Sequence, residues 1–213
     1  MPTALIVVAH PDKDSLTHYV AAKLGTALDA QGISSEMADL AAEDFDPRFS
    51  KDDRSAYQQL KSIPDDVLVE QARIDPVDHL VLVFPVYWWS MPALLKGWVD
   101  RVFVQGWAFE LTDQGSIQPN LGELTIHLIP IAGSDAGTYD RHGYRGSIQT
   151  QIEHGVIDFC GARRGSTTYL HDSETKSRAS VTAEVRSLVR DIALGASNDQ
   201  QRFTAVADER CAH

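Results

Sequence analysis

At 213 residues the chain has room for one sizeable hydrophobic core and hardly for two. It is 43% hydrophobic and 23% charged, ordinary for a globular protein, and its formal net charge of −11 argues against nucleic acid or an anionic membrane as the main partner. Cys160 and Cys211 stand far apart in no ligand spacing, the start MPTALIVVAHPD has neither a basic lead nor a small-residue cleavage site, and no apolar run reaches membrane-spanning length, so we expect a cytoplasmic protein without a disulfide framework, a metal site or stable membrane insertion.

Thr3 to Ala9 (TALIVVA) reads as a central strand, broken by His10, Pro11 and Asp12. Ser15 begins an amphipathic helix to about Ala30, with Leu16, Tyr19, Val20, Leu24, Ala27 and Leu28 as its apolar stripe, and Gly32 stops it. Ile33 to Leu40 is a weaker second strand. Ala41 to Pro64 is a polar excursion with a helical turn or two around Ser55 to Leu60, and Asp65 to Arg73 is a helix. His79 to Phe84 is the third strand, an apolar run ended by Pro85, which has no N–H for a ladder. Tyr87, Trp88 and Trp89 follow. Ser90 is then a candidate N-cap with Pro92 in the first turn of a helix to about Val104, carrying Leu94, Leu95, Trp98, Val102 and Phe103 on one side.

Gln105 to Leu121 is a second excursion, with Phe109 and Leu111 on one short strand and Ile117 on its hairpin partner. Glu123 to Ile131 is the fourth strand, Gly133 to Gly146 a glycine-rich loop, and Ser147 to Phe159 a helix. Gly161 to Tyr169 contains the fifth strand, with Thr167 to Leu170 its clearest part, and Ser173 to Ala193 is the last helix. This βαβαβαβαβα order predicts an α/β fold, a flavodoxin-like three-layer sandwich around a five-stranded parallel sheet of order 2-1-3-4-5. We expect one domain over residues 1–196 and a polar tail over 197–213, with ligands bound outside the carboxyl ends of the strands.

Three loops at that edge carry candidate chemistry. After the first strand, His10, Ser15 and Thr17 offer donors at a helix amino terminus, the makings of a phosphate cradle. Ser15 as a plain N-cap uses the same group. No G-x-G-x-x-G and no Walker lysine pattern is present. After the third strand, Tyr87, Trp88 and Trp89 suit a flat, mostly apolar ligand, the alternative being that they only fill core. After the fourth, Ala132, Gly133 and Ser134 let backbone amides approach a ligand closely. Tyr139 and His142 lie three apart and can share a proton path if that stretch is helical, against the alternative of solvated loop residues. Arg145 can meet a phosphate or stay solvated.

Together these loops describe a flavin site. AHPDKDSLTHYV (Ala9 to Val20), FPVYWWSMPALLKGWVDRVF (Phe84 to Phe103), GWAF (Gly106 to Phe109), the Gly133 loop with Tyr139, and FCG (Phe159 to Gly161) resemble the NAD(P)H:quinone oxidoreductase, or diaphorase-like, family. The resemblance covers most of residues 3 to 194. It implies a homodimer with flavin at the interface and ping-pong hydride transfer from NAD(P)H to quinones, both stacking in turn on the exposed ring face. By position it implies flavin-phosphate contacts from His10, Ser15, Leu16 and Thr17, and ring contacts from Pro85, Val86, Trp88 and Trp89. Ala132, Gly133 and Ser134 would face the pyrimidine side, with Tyr139 a candidate proton donor. The family's mammalian members place a histidine six residues after that tyrosine. Here the position is Arg145, so Arg145 or His142 takes over its part. Arg178 falls near the place of an arginine beside the adenosine diphosphate of FAD-binding members, which leans the cofactor toward FAD, with FMN the alternative. Bacterial relatives also include accessory flavoproteins of membrane transporters, and a flavodoxin-like electron carrier is a third reading.

Overall fold

The computed structural model describes residues 1–190 with 192 and 193. The expected tail at 197–213, with Cys211, lies outside them. Five parallel strands form the main sheet: β1 (Thr3–Val8), β2 (Ser34–Asp39), β3 (His79–Pro85), β6 (Thr125–Ile131) and β7 (Arg163–Thr167), in the order β2-β1-β3-β6-β7. Counted within the sheet, that is the expected 2-1-3-4-5, and the fold is flavodoxin-like. The second excursion is a separate hairpin of β4 (Phe109–Leu111) and β5 (Ile117–Pro119), with Leu111 opposite Ile117 as expected.

Alternation along β1 divides the core. Ala4, Ile6 and Val8 face one layer, with Val20, Leu24 and Leu28 of α1 (Leu16–Asp29) and Val181, Val185 and Leu188 of α7 (178–190). Leu5, Val7 and Ala9 face the other, with Val67 and Ile74 of α3 (Asp65–Ile74) and Leu95, Trp98 and Val102 of α4 (Ala93–Val102). β3 and β6 are buried along their whole length, as strands covered on both faces must be.

The first excursion is more ordered than its composition predicts. Its helix α2 (Lys51–Tyr57) starts earlier than expected because Ser50 and Asp53 form a reciprocal capping box. Arg101, on α4, is buried and reaches back to Asp53 Oδ1 at 3.0 Å, Asp66 Oδ2 at 2.6 Å and the Asp46 carbonyl at 2.8 Å. One turn earlier, Gly97 lets the loop close, since a Cβ there would lie 2.1 Å from the Pro47 carbonyl oxygen.

Several boundaries depart from expectation. Ser90 does not cap α4: Pro92 holds the N-cap position, and the Ser90 hydroxyl points to Gln151 at 3.4 Å. Pro85 still belongs to β3, opposite Ile131. The Gly133 loop folds into α5 (Ala136–His142), capped by Asp135, and α6 (Tyr144–Ile148) after a left-handed Gly143. The next helix is a π-helix, Gln149–Asp158. β7 ends at Thr167 and carries a register shift against β6 between Arg164 and Thr167; past its end, Thr168 and Leu170 donate to the Leu128 and Pro130 carbonyls. The last helix starts at 178, five residues later than expected.

At the opposite edge from the candidate site, His127 is buried against β7, its Nδ1 accepting the Ser166 N–H at 3.0 Å and its Nε2 3.2 Å from His79 Nδ1. Burial, with His79 adding to it, pushes the His127 pKa down to about 3. Native His127 therefore refuses a proton that the unfolded chain accepts near its ordinary value. Stability is unaffected above about pH 6.5 and falls as pH drops from there toward about 3, at up to ~1.4 kcal/mol per pH unit. Urea unfolding across that window should show the slope, and His127→Asn should flatten it. An unchanged slope in the variant would assign the acid sensitivity elsewhere.

Candidate functional site

Backbone pairing continues past the strand ends and holds three loops at one edge. Ala9 N–H donates to the Val83 carbonyl at 3.3 Å, Val86 to Ile131 at 2.8 Å, and Ala132 to Leu170 at 2.9 Å. All the tips that the topological switch point requires are thus brought together.

At the first tip, Ser15 caps α1, its oxygen accepting the His18 N–H at 3.3 Å. Leu16 and Thr17 take the first helical positions, whose N–H groups have no acceptor within the helix. Thr17 is 2% exposed, which leaves its hydroxyl hardly any surface for the expected donor role. His10 Nδ1 lies 3.0 Å from the Asp12 N and 3.2 Å from the Asp12 carbonyl oxygen, which ties the ring to the loop. Arg178 lies over the face of Tyr19, one turn into α1, at 4.8 Å, and Lys23 lies near the same ring at 5.6 Å. The Tyr19 hydroxyl is 2.9 Å from that of Thr182 on α7. Two cations on one aromatic platform therefore flank the capped helix end.

At the second tip, after Pro85 and Val86, Tyr87 and Ser90 exchange backbone hydrogen bonds, both 3.1 Å, around a turn made by Trp88 and Trp89. Both tryptophans have positive φ, 47° and 61°. Such turns ordinarily use Asn and Gly, so two bulky residues hold a strained backbone there. Trp88 is 94% exposed, which excludes the core-filling alternative for it. Trp89 stacks on Tyr144 with centroids 3.7 Å apart and an interplanar angle of 8°.

At the third tip, Ala132 is buried, Gly133 exposed and Ser134 half-buried. A Cβ at Gly133 would meet nothing within 4 Å, so no protein neighbour demands glycine here. The open side leaves the backbone free for a ligand, as a close-approach loop should. Tyr139, on α5, is 1% exposed, and its ring meets Trp89, Tyr144, Tyr169 and His171 edge-on. Burial raises its pKa, opposed by the Arg145 charge. The stretch is helical, as the shared proton path required, but His142 is exposed and stacks on Tyr144, which stands between it and Tyr139. Arg145 lies over Tyr169 at 4.8 Å and donates to His171 Nε2 at 3.0 Å. Because arginine only donates, His171 carries its proton on Nδ1 and gives it to the Ser134 carbonyl at 3.1 Å.

Sequence reasoning missed His171 and His18. His171 sits in a polar stretch after the fifth strand, and the pairing of β7 beside β6 brings it to Tyr139. His18 stood inside the first motif without a role. Its Nδ1 is 2.9 Å from Ser15 Oγ and its Nε2 2.8 Å from Asp39 Oδ2.

The fold and these tips define a flavodoxin-like protein whose strand-tip edge suits a phosphorylated, planar ligand. A family model described as a flavodoxin-like fold matches residues 2–192. The chain is 32% identical over 180 residues to a ribosyldihydronicotinamide dehydrogenase (quinone) of Pongo abelii, covering 74% of this chain and 76% of that one. Its fold matches an NAD(P)H:quinone oxidoreductase from Methanothermobacter marburgensis at a TM-score of 0.78 and 22% identity, over 89% of this chain and 95% of the other. It also matches an FMN-dependent NADH-azoreductase of Bacillus anthracis, solved with FMN, at a TM-score of 0.69 and 18% identity, over 92% and 99%. The chain belongs to the NAD(P)H:quinone oxidoreductase family of flavodoxin-like proteins.

The strained turn makes a local prediction. Trp88→Asn relieves a positive-φ tryptophan that buries almost nothing, and should stabilise the flavin-free chain by about 1 kcal/mol in urea unfolding. A loss of stability would mean that the backbone is not strained at this position.

Proposed function

We propose that the chain is a flavin-dependent NAD(P)H:quinone oxidoreductase that transfers two electrons in a ping-pong cycle. The observation that carries this reading is the meeting, at one sheet edge, of a capped helix end, a strained aromatic turn and a glycine whose open side serves no protein neighbour. A bound flavin supplies reversible two-electron chemistry at its ring. In this reading His10, Ser15 and the N–H groups of Leu16 and Thr17 hold phosphate. The backbone from Pro85 to Trp89 supports the ring, and Tyr87, Trp88 and Trp89 shield its surroundings from water. The amides of Ala132, Gly133 and Ser134 offset the negative charge of reduction at the pyrimidine side.

Tyr139 holds the proton delivered near that side, and Arg145 supplies fixed positive charge. His142 stacks on Tyr144 at the outer margin, exposed to solvent, as the other candidate for the family histidine's part. The Arg178–Tyr19 platform beside the helix end favours FAD over FMN, because it offers a cation and a flat face beyond the first phosphate. Exposed Leu111, Ile117 and Phe159 around Phe109 favour a homodimer with the flavin at its interface. No helix among the described residues is long and apolar enough to cross a membrane, in keeping with a cytoplasmic enzyme acting on diffusible quinones.

The purified chain, loaded with flavin, should oxidise NADH or NADPH rapidly when a simple benzoquinone is present. Absence of turnover with both donors would overturn the reading. Mass measurement of cofactor released by heat should find FAD. Tyr139→Phe should keep its flavin and slow reduction by roughly a hundredfold in stopped flow. Unchanged kinetics would remove the proton role.

A further inference from the structure

We propose that His18 is a positioning residue that aims the Ser15 hydroxyl hydrogen at the cofactor phosphate, so that flavin binding takes up a proton at His18. The inference rests on the flavin reading above. Asp39 Oδ2 lies 2.8 Å from His18 Nε2, while its Oδ1 accepts the Ala42 N–H at 3.2 Å. The carboxylate therefore holds a proton on Nε2, and a neutral ring must leave Nδ1 as an acceptor.

Ser15 Oγ is 2.9 Å from that Nδ1 and also accepts the His18 N–H. With the neutral ring, the hydroxyl spends its only hydrogen on Nδ1. A phosphate at the helix end would then meet a lone pair, which repels it. With Nδ1 protonated, the same contact reverses. The ring donates to Ser15 Oγ, the oxygen accepts twice, and its hydrogen is free to point outward. The phosphate oxygens gain a donor and a nearby positive charge together, and the proton comes from solvent.

Among the described residues, the groups that face this ring are few. His10 lies edge-on at a centroid distance of 6.2 Å. Glu43 accepts the Asp39 N–H at 3.2 Å and is itself paired with Arg73, which also holds Glu36 and Glu70. Asp39 is thus the carboxylate in contact, and the others act through it or across the loop.

Calorimetric titration of the flavin-free, full-length chain with FAD, in two buffers of different ionisation enthalpy, measures the proton directly. FAD is the better probe because its bridging diphosphate does not titrate near neutrality. Wild type should take up protons on binding FAD and none on binding riboflavin, which lacks phosphate. Its FAD affinity should fall by up to about tenfold per pH unit on the alkaline side. His18→Asn places a non-titrating amide N–H where Nδ1 stands, and should bind FAD without proton uptake and with an affinity flat between about pH 7 and pH 9. Absence of uptake in wild type, or equal uptake in His18→Asn, would overturn the inference, and the wild-type arm needs no variant to fold. A chain that takes up neither FAD nor FMN would instead overturn the functional reading.

Discussion

The molecule depends on backbone hydrogen bonding that runs beyond the strands themselves. β1, β3 and β6 stop at nearly one level, and the residues just past them keep pairing: Ala9 with Val83, Val86 with Ile131, Ala132 with Leu170. A loop leaving a parallel sheet ordinarily has freedom as soon as the ladder ends. Here each loop stays tied to the neighbouring segment for one further residue. The three groups of side chains therefore inherit the rigidity of the sheet. This rigidity also lets the turn at Trp88 and Trp89 persist, because strain survives only where the surroundings determine the backbone.

The strands and their order were legible because buried parallel strands leave continuous apolar runs. TALIVV and HLVLVF need no partner to be recognised. The hairpin at Phe109 and Ile117 was legible from short apolar segments around turn residues. What escaped depends on contacts between distant segments. α2 begins where Ser50 and Asp53 cap each other, and the surrounding loop is anchored by Arg101 from a helix 48 residues beyond Asp53. The Gly133 stretch looked like a loop because its glycines outweigh its helix formers, yet Asp135 caps it and Tyr139 anchors it in an aromatic cluster. Ser90 looked like a cap only because Pro92 followed it.

The candidate site shows the same division. Residues at the first turn of a helix or at a strand tip were placed correctly by local signals. The side chains that orient them were invisible, since they arrive from elsewhere. His171 reaches Arg145 and the Ser134 carbonyl from beyond β7, and Asp39 reaches His18 from the end of β2. Thr17 shows the converse: a polar residue in a motif was read as a donor, while the helix turns it inward.

The contact between Gly97 and the Pro47 carbonyl bears on how such a chain tolerates change. Any larger residue at 97 has to push the 46–48 segment outward, and that movement pulls the Asp46 carbonyl away from Arg101. Drift at one of these places is therefore survivable only alongside drift at the other. The loop and the helix therefore pack as a single unit, although much of the excursion is exposed.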